Sequence, residues 1–209
     1  MNDNNFLNFG VEETSAPLIV MLHGRGANEA SLANLATSIS SQYRIISLRG
    51  PIELGPSSYT WFQNRGIGRP IPESLRQSLE WFYKFIDSKN PNGSPTAVVG
   101  FSGGAAFAGA VALDKRVSLS GTAILYGTIP FDAGLSTEKD SLAHQRIFVA
   151  QGTDDSVMPT DLMARTWDYL HNDSGAELEA HRSQGGHEIT PEVAIQLDKW
   201  INNVIDSKI

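Results

Sequence analysis

The pattern that most constrains this chain is a set of short apolar runs, rich in Val, Ile and Leu, at 17–22, 43–48, 96–100, 121–126 and 146–151, with a weaker one at 177–182. Their hydrophobicity is continuous rather than alternating, which predicts strands covered on both faces. Between them the apolar positions take up a helical period. Leu32, Leu35, Ala36 and Ile39 share one face; Leu75, Leu79, Phe82, Phe85 and Ile86 share a second; Met163, Trp167 and Leu170 form a third. The last helix is signalled most sharply, because Thr190 can cap it, Pro191 suits its first turn, and Val193, Leu197, Trp200, Ile201 and Val204 make an apolar stripe. Alternation of strand and helix predicts an α/β fold, a mostly parallel sheet flanked by helices on both faces and joined by right-handed crossovers.

No repeat, low-complexity tract or linker-like shift divides the 209 residues, so one domain over 1–209 is expected, with too little chain for a separate cap domain. The formal charge is −7 and the 16 Lys and Arg residues are scattered, which removes the electrostatic footprint of a nucleic-acid partner. Cysteine is absent, which excludes a disulfide framework, a thiol nucleophile and thiolate metal sites. The five histidines make no recognisable ligand spacing, so no metal is expected. The N-terminal MNDNNFLNFG lacks the basic and extended apolar segments of a secretory leader, and no apolar run approaches the roughly 18 residues of a membrane span. A cytoplasmic protein is the expectation, with homo-oligomerisation left open.

In open α/β sheets the chemistry gathers at the carboxyl ends of strands. After the strand TAVVG comes Gly100-Phe101-Ser102-Gly103-Gly104, a GxSxG pattern, and then the small, helix-compatible AAFAGAVAL. With 19 glycines in the chain the pattern alone is unspecific, and a tight turn carrying a surface serine competes with it. Its place between a buried strand and a helix is what carries weight. A nucleophile on a sharp strand-to-helix turn needs neighbours without Cβ atoms, and the helix N-terminus offers free N–H groups to a developing oxyanion.

Three further loops follow strands. The segment 22–28, LHGRGAN, can donate one backbone N–H to an oxyanion, with the N–H of Gly103 as its partner donor; Arg25 is the candidate here, although its side chain reads equally as a solvated cation. His23 abuts the strand and reads as structural. In 151–159, QGTDDSVMP, either Asp154 or Asp155 could accept the Nδ1–H of a catalytic imidazole. In Gly185-Gly186-His187-Glu188 two glycines let the loop bring His187 back over the sheet. His144 precedes a strand, His171 lies near a helix and His181 falls within the last strand, so each fits a base worse. Ser102, then an aspartate, then His187 is the chain order of the α/β-hydrolase triad.

With LHGRGAN, RGP at 49–51, WF at 61–62, GFSGG, GTDDSVMP and GGH, the chain resembles the carboxylesterase and phospholipase family that includes bacterial carboxylesterases and acyl-protein thioesterases. The resemblance covers most of the chain from Leu18 onward. It implies the α/β-hydrolase fold, a triad of Ser102, Asp155 and His187, and hydrolysis of small-molecule carboxylic esters or thioesters without a cofactor. It selects Asp155 over Asp154, because the family's acid is the third residue after the glycine of G-x-x-D-x-x-V-P. It also implies an acyl-binding wall from Tyr59, Trp61 and Phe62 in the long segment 50–72, where ordinary aromatic packing is the alternative, with Tyr126 covering the other side. The chain departs from the family in Gly103 for a frequent Gln, Gln151 for a frequent His, and Arg25 for an uncharged residue. An esterase for small or medium acyl chains is the leading expectation. Thioesterase or lysophospholipase activity, acyl transfer to another acceptor, and a non-catalytic small-molecule-binding hydrolase fold are the alternatives.

Overall fold

The structure, a computed structural model, describes residues 5–206. The first four residues of the segment read for a leader lie outside the described residues. All six apolar runs form strands. In chain order, β1 is Phe6–Gly10, β2 Leu18–Leu22, β3 Arg44–Leu48, β4 Ile52–Gly55, β5 Ser58–Thr60, β6 Asn64–Gly66, β7 Arg69–Pro70, β8 Thr96–Phe101, β9 Gly121–Leu125, β10 Arg146–Gly152 and β11 Glu177–Ser183. The helices are α1 Ala33–Ser38, α2 Pro72–Lys89, α3 Gly103–Asp114, α4 Thr160–Asp168 and α5 Pro191–Asp206.

Seven strands make the main sheet in the order β1-β3-β2-β8-β9-β10-β11, every neighbouring pair parallel except β1 with β3. This is the α/β-hydrolase architecture, and no separate cap domain is present among the described residues. The continuous apolar runs are sorted by the two-residue period of the strand. Leu18, Val20 and Leu22 of β2 face α2 and α3, where they join Phe82 and Phe107; Ile19 and Met21 face α1 and α5, where they join Trp200 and Ile201. Burying such a side chain contributes about 1.5–3 kcal/mol relative to exposure, so both faces of the central strands hold the sheet in place. Thr190 caps α5 through its Oγ1, which accepts the Val193 N–H at 3.3 Å. Helix α3 is buried along its length from Gly104 to Leu113, which explains the absence of an amphipathic stripe in its sequence.

Three features depart from the sequence reading. Strand β1 is unforeseen because it lies at the antiparallel edge, where only Phe6 and Phe9 pack inward and the pattern is half polar. The segment 50–72, expected as an irregular loop, folds into the hairpins β4–β5 and β6–β7. The face expected from Met163, Trp167 and Leu170 is instead Leu162, Thr166, Tyr169 and Leu170, with a π-helical turn over Tyr169–Asp173 following α4, and Trp167 lies half-buried under the Arg182 guanidinium at 4.0 Å. The weak pattern of β11 has a similar origin to that of β1, since it is the opposite edge strand.

Candidate active site

Four loops at the carboxyl ends of β2, β8, β10 and β11 converge on Ser102. The residue sits between β8 and α3 with φ 55° and ψ −115°, outside the regions an L-residue ordinarily occupies. Such a conformation costs on the order of 1–3 kcal/mol and persists only where the surroundings enforce it. Here they do so through glycine. A Cβ on Gly100 would fall 2.2 Å from the Gly104 carbonyl oxygen, and one on Gly104 would fall 2.1 Å from that of Leu22. Both contacts are with backbone, so neither can be relieved by a rotamer change. The turn holds the Ser102 hydroxyl out from the sheet toward the loop after β11.

That loop carries His187, whose Nε2 lies 2.8 Å from Ser102 Oγ and whose Nδ1 lies 2.7 Å from Asp155 Oδ2. Gly152 permits the approach, because a Cβ there would stand 2.2 Å from the Gly186 carbonyl oxygen. The Asp155 side chain is fully covered, and its Oδ1 accepts the N–H groups of Val157 at 2.9 Å and Met158 at 3.1 Å. Burial pushes this carboxyl upward. The hydrogen bonds from His187, Met158 and Val157 outweigh burial and hold it below its usual value, so it stays a carboxylate at neutral pH. Its charge favours the Nδ1–H tautomer of His187, which leaves Nε2 free to accept a proton from the serine. Asp154 points elsewhere: its carboxylate accepts from the Thr153 hydroxyl at 3.3 Å, while its N–H donates to the Gly185 carbonyl. The rings of Phe101 and Tyr126 flank the imidazole, with centroids 5.1 and 6.5 Å away.

The loop after β2 lies on the opposite side of Ser102. Gly103 stands close to it: a Cβ there would meet the Arg25 nitrogen at 3.1 Å, a tight contact that a small shift of the loop would relieve. The Gly103 N–H belongs to the first turn of α3, where no intrahelical acceptor exists. The N–H groups of Gly26 and Ala27 are taken by Tyr59 and Gly24 carbonyls, while that of Arg25 has no acceptor among the described residues. Two free donors therefore meet beside the hydroxyl, an arrangement suited to a developing oxyanion. His23 is structural in its contacts. It is fully buried, its Nδ1–H donates to the Gly24 carbonyl and its Nε2 accepts the Gly50 N–H at 3.0 Å. Burial, the largest influence, lowers its pKa and keeps it neutral.

Two cavities meet at Ser102. The smaller, about 390 Å³, is lined by Phe62, the β6–β7 hairpin, Gly103, Ala106 and Met158; the larger, about 710 Å³, runs past Phe101, His187 and Ile189 toward α1. Of the four residues expected to contact substrate, Phe62 lines the smaller cavity, and Tyr59, Trp61 and Tyr126 line neither of the two. Trp61 is fully buried behind the wall, its indole N–H donating to the His23 carbonyl at 2.7 Å and its ring stacked on Phe107. Tyr59 braces the loop after β2 through backbone bonds to Gly26 and Ala27 and lies under the Arg49 guanidinium. Tyr126 packs behind His187 and bonds Ser183 through its hydroxyl at 2.8 Å. Aromatic type signals burial as readily as ligand contact, and alternation along 59–62 does not separate the two. Sequence reasoning missed Asn64, Arg65 and Ile67, which the second hairpin brings to the cavity, and Val157, which touches both cavities. The length of 50–72 was the available signal for the first three.

Comparison with known proteins bears on the family and the fold. The pattern of the phospholipase/carboxylesterase family matches residues 10–205. MhqD of Bacillus subtilis (strain 168), a protein described as a hydrolase, is 24% identical over 195 residues, 92% of this chain and 96% of its own. Among solved structures, the Bacillus cereus carboxylesterase superposes with a TM-score of 0.81 at 24% identity, covering 97% of this chain and 96% of that one. Zea mays acyl-protein thioesterase 2 superposes with a TM-score of 0.76 at 22% identity, covering 96% and 98%. No helix among the described residues is long and apolar enough to cross a membrane.

Proposed function

Because the chain belongs to the phospholipase/carboxylesterase family of hydrolases, we propose that it is a serine esterase that cleaves carboxylic esters of small or medium acyl chains through an acyl-enzyme on Ser102. The observation that carries this reading is His187, which bridges the Ser102 hydroxyl at 2.8 Å and the buried Asp155 carboxylate at 2.7 Å. Ser102 Oγ attacks the ester carbonyl while its proton passes to His187 Nε2. The negative charge that develops on the carbonyl oxygen is met by the Arg25 and Gly103 N–H groups. The imidazolium, stabilised by Asp155, then gives the proton to the departing alcohol oxygen. In the second half a water loses a proton to His187, attacks the acyl carbon, and releases the carboxylic acid as Ser102 recovers its hydrogen.

Geometry also supports an assignment of the two cavities. A leaving group must lie next to the imidazole that protonates it, and His187 lines the larger cavity but not the smaller one. The alcohol therefore occupies the larger cavity, and the acyl chain occupies the smaller one against Phe62, Ala106 and Met158. Likeness to a thioesterase makes thioesters the second substrate class to examine. The test is hydrolysis of a 4-nitrophenyl ester series of increasing acyl length and of matched thioesters by wild type and by Ser102→Ala. Turnover of esters that disappears in the variant is expected; equal turnover by the variant sinks the reading.

A further inference from the structure

The chain has ten arginines, and eight of them are satisfied by other groups. Arg49, Arg69, Arg76, Arg116 and Arg146 make ion pairs, Arg44 donates to two carbonyls, and Arg165 and Arg182 lie over aromatic rings. Arg25 and Arg65 have no partner of any of these kinds among the described residues. They lie 40 positions apart, one on the loop after β2 and the other on β6, yet both line the smaller cavity beside Ser102. No aspartate or glutamate lines that cavity, although the chain carries 23 acidic residues against 16 basic ones. Arg25 also reaches the larger cavity, where it is joined by one acid, Glu188. Asp155, the acid nearest to Ser102 through His187, is covered and committed to three hydrogen bonds. Beside Arg65, the Asn64 amide also makes no side-chain hydrogen bond among the described residues, and its carbonyl oxygen is buried.

We propose that the smaller cavity selects acyl chains that end in a carboxylate, so that the preferred substrates are half-esters of short dicarboxylic acids. This rests on the reading of Ser102 as the acyl acceptor and of the smaller cavity as the acyl side. A guanidinium presents a planar fork that matches a carboxylate, and two unpaired guanidiniums lining one cavity with the Asn64 carboxamide supply the donors for one such group. Arg25 and Arg65 are exposed, so the attraction is that of a partly wet site, while Phe62, Ala106 and Met158 give the methylene chain an apolar wall. The chain length is bounded by the cavity volume of about 390 Å³. The reaction is an ordinary hydrolysis: the ester C–O bond is broken by water, the alcohol leaves with a proton, and the product is a dicarboxylate. The larger cavity sets Glu188 against Arg25, whereas the smaller has two arginines and no acid among the described residues, so the negative charge of the substrate belongs on the acyl half.

The experiment compares the 4-nitrophenyl half-ester of adipic acid with 4-nitrophenyl hexanoate, two esters with one leaving group and equal acyl length that differ in a terminal carboxylate or methyl. In wild type kcat/KM should favour the half-ester by about tenfold, the scale of a charge-assisted contact at a partly wet site. Arg65→Gln and Arg25→Gln should each bring the ratio toward one, and raising the salt to about 0.5 M should do the same through screening. A second readout is protection of Ser102 from a fluorophosphonate probe, where adipate should slow labelling in wild type and much less in Arg65→Gln. Hydrolysis of the hexanoate with a ratio of one or below, or labelling that adipate does not slow, overturns this inference while leaving the esterase reading intact. Failure to hydrolyse either ester together with failure to label Ser102 overturns the esterase reading itself.

Discussion

Replacing Asp155 by Asn leaves shape and volume nearly unchanged and alters one thing, the pattern of donors around His187. In the native site Oδ2 accepts from the imidazole at 2.7 Å while Oδ1 accepts from two backbone N–H groups at 2.9 and 3.1 Å. An asparagine has a single oxygen to offer. The two backbone donors claim it, because the amide NH₂ in that place would leave both N–H groups facing a donor in a covered site, at about 1–3 kcal/mol for each unsatisfied group. The NH₂ then faces Nδ1 and favours the tautomer with hydrogen on Nε2, which points a donor at Ser102 and disables the base. The same change in a serine protease costs about 10⁴ in turnover. We expect kcat to fall by on the order of 10² or more, equivalent to at least about 2.7 kcal/mol of transition-state stabilisation. Asp154→Asn, at a carboxylate whose hydrogen bond among the described residues is from the Thr153 hydroxyl, should stay within about threefold of wild type, the size of an effect confined to an exposed hydrogen bond. Parallel steady-state kinetics on a 4-nitrophenyl ester, with thermal unfolding to confirm equal folding, decides between them. A large defect at Asp154 with near-normal turnover at Asp155 refutes the reasoning.

Two further outcomes follow from the same contacts. Trp61→Phe removes the indole N–H that satisfies the His23 carbonyl, so it should cost about 1–3 kcal/mol of stability in urea unfolding and leave relative rates across acyl lengths unchanged, whereas Phe62→Ala should shift those relative rates; the reverse assignment of effects contradicts the placement of the two rings. His23 has its folded pKa lowered from 6.5 mainly by burial, so below pH 6.5 the unfolded chain takes up a proton that the folded chain refuses; its contribution is complete above that value and declines as the pH falls toward the folded pKa. The urea midpoint should drop between pH 7.5 and 5.5 more steeply in wild type than in His23→Asn, and identical slopes would contradict a neutral buried His23.

The parts of the fold legible in the sequence were those with one dominant physical cause. The central strands are apolar on both faces, and α5 carries a cap and a clear stripe, so each has a pattern that only burial explains. Strand β1 and the two hairpins have no such pattern, because an edge strand and a surface ribbon tolerate polar residues on most positions. At the site, the glycines around Ser102 were readable because backbone contact leaves them no alternative. The choice of Asp155 needed the family pattern, since side-chain direction in a turn is set by tertiary bonds from Val157 and Met158. Trp61 and Tyr126 were misplaced for the opposite reason, as residue type gives size and polarity but not the direction of the ring. Arg65 was invisible because an unpaired arginine differs from a solvated one only when its neighbours are known.

The account stands or falls on the reactivity of one hydroxyl. Treating the native protein with a fluorophosphonate and mapping the adduct by peptide mass spectrometry should place it on Ser102 within the segment 100–104, with Ser102→Ala unlabelled and inactive while unfolding at a temperature close to wild type. An adduct on another serine, or wild-type ester hydrolysis by Ser102→Ala, would contradict the claim that Ser102, His187 and Asp155 form the catalytic centre.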